Sequence, residues 1–177
     1  HVLPATWSFF TIEKFDWTPK DIGLSLMFIG ICMALVQGFL IRWVIPRTGL
    51  RWAGIIGMSF TAIAFLGYGA AVAPWMMYLA MIPGALGALA GPAMQGIASS
   101  QVDASQQGEL QGGLSSTMSL TSIISPLMMT QIFAYFTEDQ SAYYFPGAAF
   151  ILALFLTLAA LAVFVSITKE KSAVATA

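Results

Sequence analysis

Five apolar runs in this chain are each long enough to cross a bilayer, which takes roughly 20 residues of helix, and almost every charge falls between them. They lie near Ile22–Ile45, Trp52–Val72, Trp75–Ile97, Leu110–Phe136 and Pro146–Thr168. At membrane depth every backbone polar group must be paired within the structure, so each run is read as a helix. The apolar-polar alternation of barrel strands is absent. Composition agrees: 58% of residues are apolar and 8% charged, against about 25% charged in soluble domains. Such a chain cannot coat itself with solvated charge, so its solvent is lipid. The fold class is therefore all-α integral membrane. A net charge of −1 excludes nucleic acid as a partner. With Cys32 as the single cysteine, no disulfide forms within the chain.

Ahead of these runs, the apolar stretch from Val2 to Ile12 meets charge after about half the length a span needs. It has no basic leader and no small-residue cleavage site, so it does not read as a signal peptide. We read it as a truncated first helix, and the chain as the C-terminal piece of something longer. If the spans alternate in direction, Arg42, Arg47, Arg51, Lys169 and Lys171 share one side, and only Lys14 and Lys20 lie on the other. The excess of basic residues marks the first side, and with it the C-terminus, as cytoplasmic.

The spans differ in what their faces offer. The sixth has only Thr157 as a polar residue in its middle, and the third only Ser59, Thr61 and Tyr68, so both are expected against lipid. In the second, Gly30, Ala34 and Gly38 recur every four residues on one face, which Gln37 shares. Gly84, Ala88, Gly91 and Gln95 form a stripe on the fourth, extended by Met77. The fifth carries Ser115, Ser119 and Ser122 on one face, Thr117, Thr121 and Ser125 on the next, and Pro126, which should bend it. Small and hydroxyl residues commonly serve helix packing in membranes. An unpaired amide in hydrocarbon is costly, so Gln37 and Gln95 require either an interhelical hydrogen bond or a cavity. The residues expected to line a pathway are His1, Thr6, Trp7, Gln37, Gln95, Ser119 and Ser122. Cofactors are not expected. There is no HExxH, no Cys/His cluster, no nucleophile with a base, and no carboxylate inside a span, which argues against an enzyme.

Four stretches carry a resemblance. They are Pro4-Ala5-Thr6-Trp7 with Glu13-Lys14-Phe15-Asp16-Trp17; Ile22-Gly23-Leu24-Ser25-Leu26 with Gln37; Arg47-Thr48-Gly49-Leu50-Arg51; and Pro92-Ala93-Met94-Gln95-Gly96 with Gln107-Gly108-Glu109-Leu110-Gln111-Gly112. Together they resemble the C-terminal half of the tetracycline efflux proteins, drug–proton antiporters of the major facilitator superfamily. The last stretch is similar to that family's P-A-L-Q and Q-G-Q-L-Q-G segments. Arg47, Gly49 and Arg51 look like the superfamily's cytoplasmic loop motif.

The resemblance implies helices seven to twelve of a twelve-helix transporter of the inner membrane. Helices seven, eight, ten and eleven would face the central pathway, with nine and twelve peripheral. It implies export of a tetracycline-like or other amphipathic drug in exchange for protons, with the missing N-terminal half, the bilayer and a small amphipathic substrate as partners. A carrier for another small solute, such as a sugar or organic acid, and a membrane interaction module without transport remain alternatives. Two departures stand out. Thr61 occupies the position where the family tends to place an acid in its ninth helix, and Pro46 stands where the loop motif often has an Asp.

Overall fold

A computed structural model describes residues 2–137 and 145–174, with side chains from 7 to 137 and 145 to 168. Among the described residues all regular structure is helical. Helix α1 (Val2–Phe15) ends at Asp16, a non-glycine residue at φ 52 that reverses the chain. Thr18 then caps α2 (Pro19–Leu35). Its hydroxyl accepts from the Asp21 N–H, while the Asp21 carboxylate accepts from the Thr18 N–H at 3.0 Å. This reciprocal box satisfies donors that the first turn of a helix leaves open. Pro19, at the first helical position, gives up only a donor that would be unpaired anyway.

The second span does not end with α2. A π-helical turn, Val36–Leu40, follows, in which the Ile41 N–H bonds back five residues to the Val36 carbonyl. The chain continues into α3 (Ile41–Ala70), interrupted at Gly49, whose φ of 77 and ψ of 163 are not helical. By helical continuity Pro19–Ala70 is a single stretch of 52 residues, but packing shows two crossings. Val36 and Ile56, twenty positions apart, meet in one apolar cluster with Leu40, Val44 and Leu89. A straight helix would hold them about 30 Å apart. The chain therefore folds back at Gly49, and five complete spans follow α1, as the sequence indicates. The fourth span pairs α4 (Pro74–Leu86) with α5 (Ala90–Ser99) across a 3-10 turn at Gly87–Leu89. Helix α6 (Gln107–Thr137) runs continuously through Pro126, and α7 (Ala148–Val174) closes the chain.

Contacts at the two ends confirm that the spans alternate. At one end Leu50 reaches Gly96, and Phe164 covers Gly54, so the Gly49 turn, the end of α5 and the latter part of α7 lie together. At the other end Trp17 and Tyr78 rings meet at 5.8 Å, and Gly147 abuts Gly69. Arg42, Arg47 and Arg51 belong to the first end.

One expectation is corrected. The third span, read as featureless and lipid-facing, is the hub of the packing: the part of α3 after Gly49 lies against α4, α5 and α7. Its buried face is Ala53, Gly54, Gly57, Met58, Ala62, Ala64, Tyr68 and Gly69. A β-carbon at Gly57 would sit 2.5 Å from the Ala90 nitrogen, so the two helices touch backbone to backbone. Only its other face, with Trp52, Ile63 and Leu66, is exposed. Conversely, α2 buries only Ser25 and α6 only Met129. The helices richest in amide, hydroxyl and small residues therefore present open surfaces, because nothing in this chain covers them.

Candidate functional site

The open surface includes Gln37 on the π-helical turn, Gln95 on α5, and Ser119 and Ser122 on α6, all exposed. The π-turn inserts an additional residue into the helical repeat, a distortion often found at functional sites. Gln95 Nε2 donates to Gln111 Oε1 at 3.1 Å, tying α5 to the start of α6. Each amide keeps further donor and acceptor capacity. Ser122 Oγ donates to the Ser119 carbonyl at 2.7 Å, and the Thr117 and Thr121 hydroxyls donate to carbonyls four residues earlier. These hydroxyls satisfy themselves on their own helix and still offer lone pairs outward.

Of the other expected pathway residues, Trp7 is placed differently. It is 3% exposed, its Nε1 donates to Ser25 Oγ at 3.0 Å, and its ring meets Tyr68 edge-on at 5.4 Å. It belongs to an aromatic core with Phe10, Trp17, Tyr68 and Phe150 that joins α1 to α3, α4 and α7. His1 and the Thr6 side chain lie outside the described residues. Gln111 is a site residue beyond those expected from the sequence; its signal there is an amide four positions after Gln107.

Thr61 is half-buried and donates to the Gly57 carbonyl at 3.0 Å. It opens on a cavity of about 310 Å³ shared with Met58, Ala90, Leu156, Thr157 and Ala160. A hydroxyl there accepts and donates hydrogen bonds but carries no titrating proton near neutral pH. Among the described residues no group of three His, Cys, Asp or Glu side chains converges on a metal geometry.

At the loop motif, Gly49 supplies the positive φ of the turn, and a β-carbon there would meet no other atom, so backbone geometry rather than space selects glycine. Arg47 stacks on Trp43 at 4.3 Å and donates from Nη1 to the Trp43 carbonyl at 3.1 Å, in the last turn before the break. A cation at the carbonyl end of a helix complements its dipole. Arg51 is half-buried, and its Nε has no hydrogen-bond partner.

Among the described residues, a helical bundle with alternating spans, an amide- and hydroxyl-bearing open face and a basic hairpin at one end defines a multi-pass membrane protein. The family description "Major Facilitator Superfamily" matches residues 2–176, and the chain belongs to that superfamily. Within it, the chain is 39% identical to the class C tetracycline resistance protein of Escherichia coli, over 90% of this chain and 39% of that protein. It is 37% identical to the class D tetracycline resistance protein of Salmonella ordonez, over 79% of this chain and 35% of that protein. The class B protein of Escherichia coli is 33% identical over 74% of this chain and 33% of its own length. The chain thus spans less than two fifths of the length of each of these relatives. No solved structure matches it.

Proposed function

We propose that this chain is the C-terminal six-helix half of an inner-membrane drug–proton antiporter that exports a tetracycline-like or other amphipathic drug. One observation carries the reading: the polar faces of the π-turn, α5 and α6, bearing Gln37, Gln95, Ser119 and Ser122, are open within this chain. Amides with unmet donors are costly to leave against lipid. A second half would cover them and enclose a pathway between the two. Amides, hydroxyls and methionines suit a neutral or zwitterionic amphipath, whereas a small anion would call for an arginine in the pathway. The relatives named for tetracycline resistance point to the same substrate class.

In this reading Gln37 and Gln95 hydrogen-bond the drug, Gln111 orients Gln95, and the Ser119 and Ser122 oxygens accept from it. From Ile22 to Val102 the chain contains no Asp or Glu, and Thr61 holds no proton to exchange. The proton-carrying carboxylates then belong to the N-terminal half, and rocking of the halves about the central site couples the two events. The Arg47–Arg51 hairpin and the C-terminus face the cytoplasm, by the excess of basic residues at that end. The test is reconstitution in vesicles with an imposed pH gradient. The full-length protein accumulates tetracycline and this chain alone does not. Transport by the full-length protein that ignores the gradient would overturn the antiport reading.

A further inference from the structure

We propose that Arg47 and Arg51, between the indoles of Trp43 and Trp52, form a binding site for the phosphate headgroup of an anionic phospholipid. This inference rests on the chain lying in a bilayer, and not on what the transporter carries.

Depth is the first argument. Trp43 and Trp52 stand on opposite sides of the Gly49 turn and are 59% and 57% exposed. Exposed indoles at the end of a span sit at headgroup level, where one edge of the ring is apolar and the other wet. Arg47 and Arg51 lie between them in the chain, at the same end of the bundle. Both guanidiniums are therefore held at the height of lipid phosphates.

Charge is the second. No Asp or Glu occurs between Asp21 and Asp103, so the hairpin carries Arg42, Arg47 and Arg51 without a neighbouring acid on either helix. Stacking on Trp43 fixes the Arg47 plane at 4.3 Å and takes up one nitrogen, Nη1, on the Trp43 carbonyl. The remaining donors of that fork have a set direction and suit an oxyanion in a bidentate manner.

Arg51 is the third. Its Nε is buried yet meets no acceptor in the protein. A buried donor on a charged group that stays unpaired costs more than a neutral one. Leu50 is packed against Gly96, and Gly54 lies beneath Phe164, so the backbone on both sides of Arg51 is held. A small rotation of the Arg51 side chain would present this N–H to a phosphate oxygen of the headgroup layer. An electrostatic attraction to anionic lipid is worth about five-fold in binding per basic residue at the surface.

The experiment uses the full-length protein in nanodiscs made of phosphatidylcholine and phosphatidylglycerol in equal parts. Native mass spectrometry counts the lipids retained on release, and circular dichroism checks that each variant is folded. The expected result is enrichment of phosphatidylglycerol on the unmodified protein. R47Q and R51Q each lower it by about five-fold. R51K keeps the charge but loses the Nε donor, and retains an intermediate amount. Should R51Q not fold, R47Q and R51K carry the test. Enrichment unchanged in these variants overturns the proposal, and so does R51K equal to the unmodified protein. Displacement of the retained lipid by inorganic phosphate would identify a free-phosphate site and overturn the lipid assignment. None of these readouts depends on transport, so a failure of the antiport reading is separable from a failure of this one.

Discussion

The indole Nε1 of Trp7 donates to Ser25 Oγ at 3.0 Å, and that hydroxyl in turn donates to the Ile22 carbonyl at 2.7 Å. This buried chain of bonds fastens α1 to the first turns of α2. Ser25→Ala leaves the indole N–H without a partner and is expected to cost about 1–3 kcal/mol. Trp7→Phe with Ser25→Ala should cost less than the sum of the two single changes, because the orphaned donor is gone. Thermal unfolding of the four proteins in detergent measures both; strict additivity would mean the bond contributes nothing.

Close approach of α3 and α5 at Gly57 sets a second expectation. Gly57→Ala places a β-carbon 2.5 Å from the Ala90 nitrogen, and backbone cannot yield as a side-chain tip can. Overpacking of this kind costs about 1–3 kcal/mol. Gly91→Ala, with nothing within 4 Å of the new carbon, should change stability by no more than about 0.5 kcal/mol. Equal melting temperatures for the two variants would contradict the packing described.

Gly49 tests the turn itself. Its φ of 77 is strained for any L side chain although the space is empty. Gly49→Ala is expected to cost about 1–3 kcal/mol through the backbone alone. Unfolding midpoints for G49A and the unmodified protein decide the matter.

The sequence exposes most of this architecture for a simple reason: a bilayer imposes a fixed length on each apolar run, and charges mark the turns. The Gly49 hairpin is readable because Arg47 and Arg51 interrupt the apolar pattern on both sides of a glycine. The π-turn at Val36–Leu40 and the 3-10 turn at Gly87–Leu89 are not, since both leave composition and apolar length unaltered. The central role of α3 also escapes a polarity-based reading. Its packing face is built mostly from Gly and Ala, which look featureless by hydropathy yet permit the closest contacts. Gln95 is legible as an unusual amide in a span. The burial of Trp7 is not, because an indole looks the same in a pathway and in a core until its N–H partner is known.

Accessibility separates the open face from the lipid face. Single cysteines at Gln37, Gln95 and Ser119, in a chain with Cys32 replaced by Ala, should react with a water-soluble maleimide in the full-length protein. Phe155, 64% exposed on the sixth span, should not, because hydrocarbon surrounds it. Labelling at 155 without labelling at 95 or 119 would reverse the assignment of faces.

Acid should loosen the entry to α2. Hydrogen bonds from the Thr18 hydroxyl, and then from its N–H, hold the Asp21 carboxyl below the usual carboxylate range. Its contribution is therefore complete above the unfolded value of about 3.9 and disappears as pH falls through the lower folded value. Hydrogen exchange at Asp21 and Ile22, corrected for intrinsic rate, should accelerate only in that acidic window. In Asp21→Asn the exchange should be faster throughout and should not change further in acid.

The π-turn has a bearing on how chains of this kind can change length. Each residue of a helix advances the azimuth by about 100°, so the residue inserted at Val36–Leu40 rotates everything from Ile41 to the Gly49 hairpin relative to α2. Removing one residue there would restore a regular helix without shortening the span below what the bilayer needs. It would also turn Trp43 and Arg47 onto a different side of the bundle. The turn thus acts as an angular adjuster for the basic hairpin, and a one-residue deletion at this point alters the aim of the arginines rather than the number of crossings.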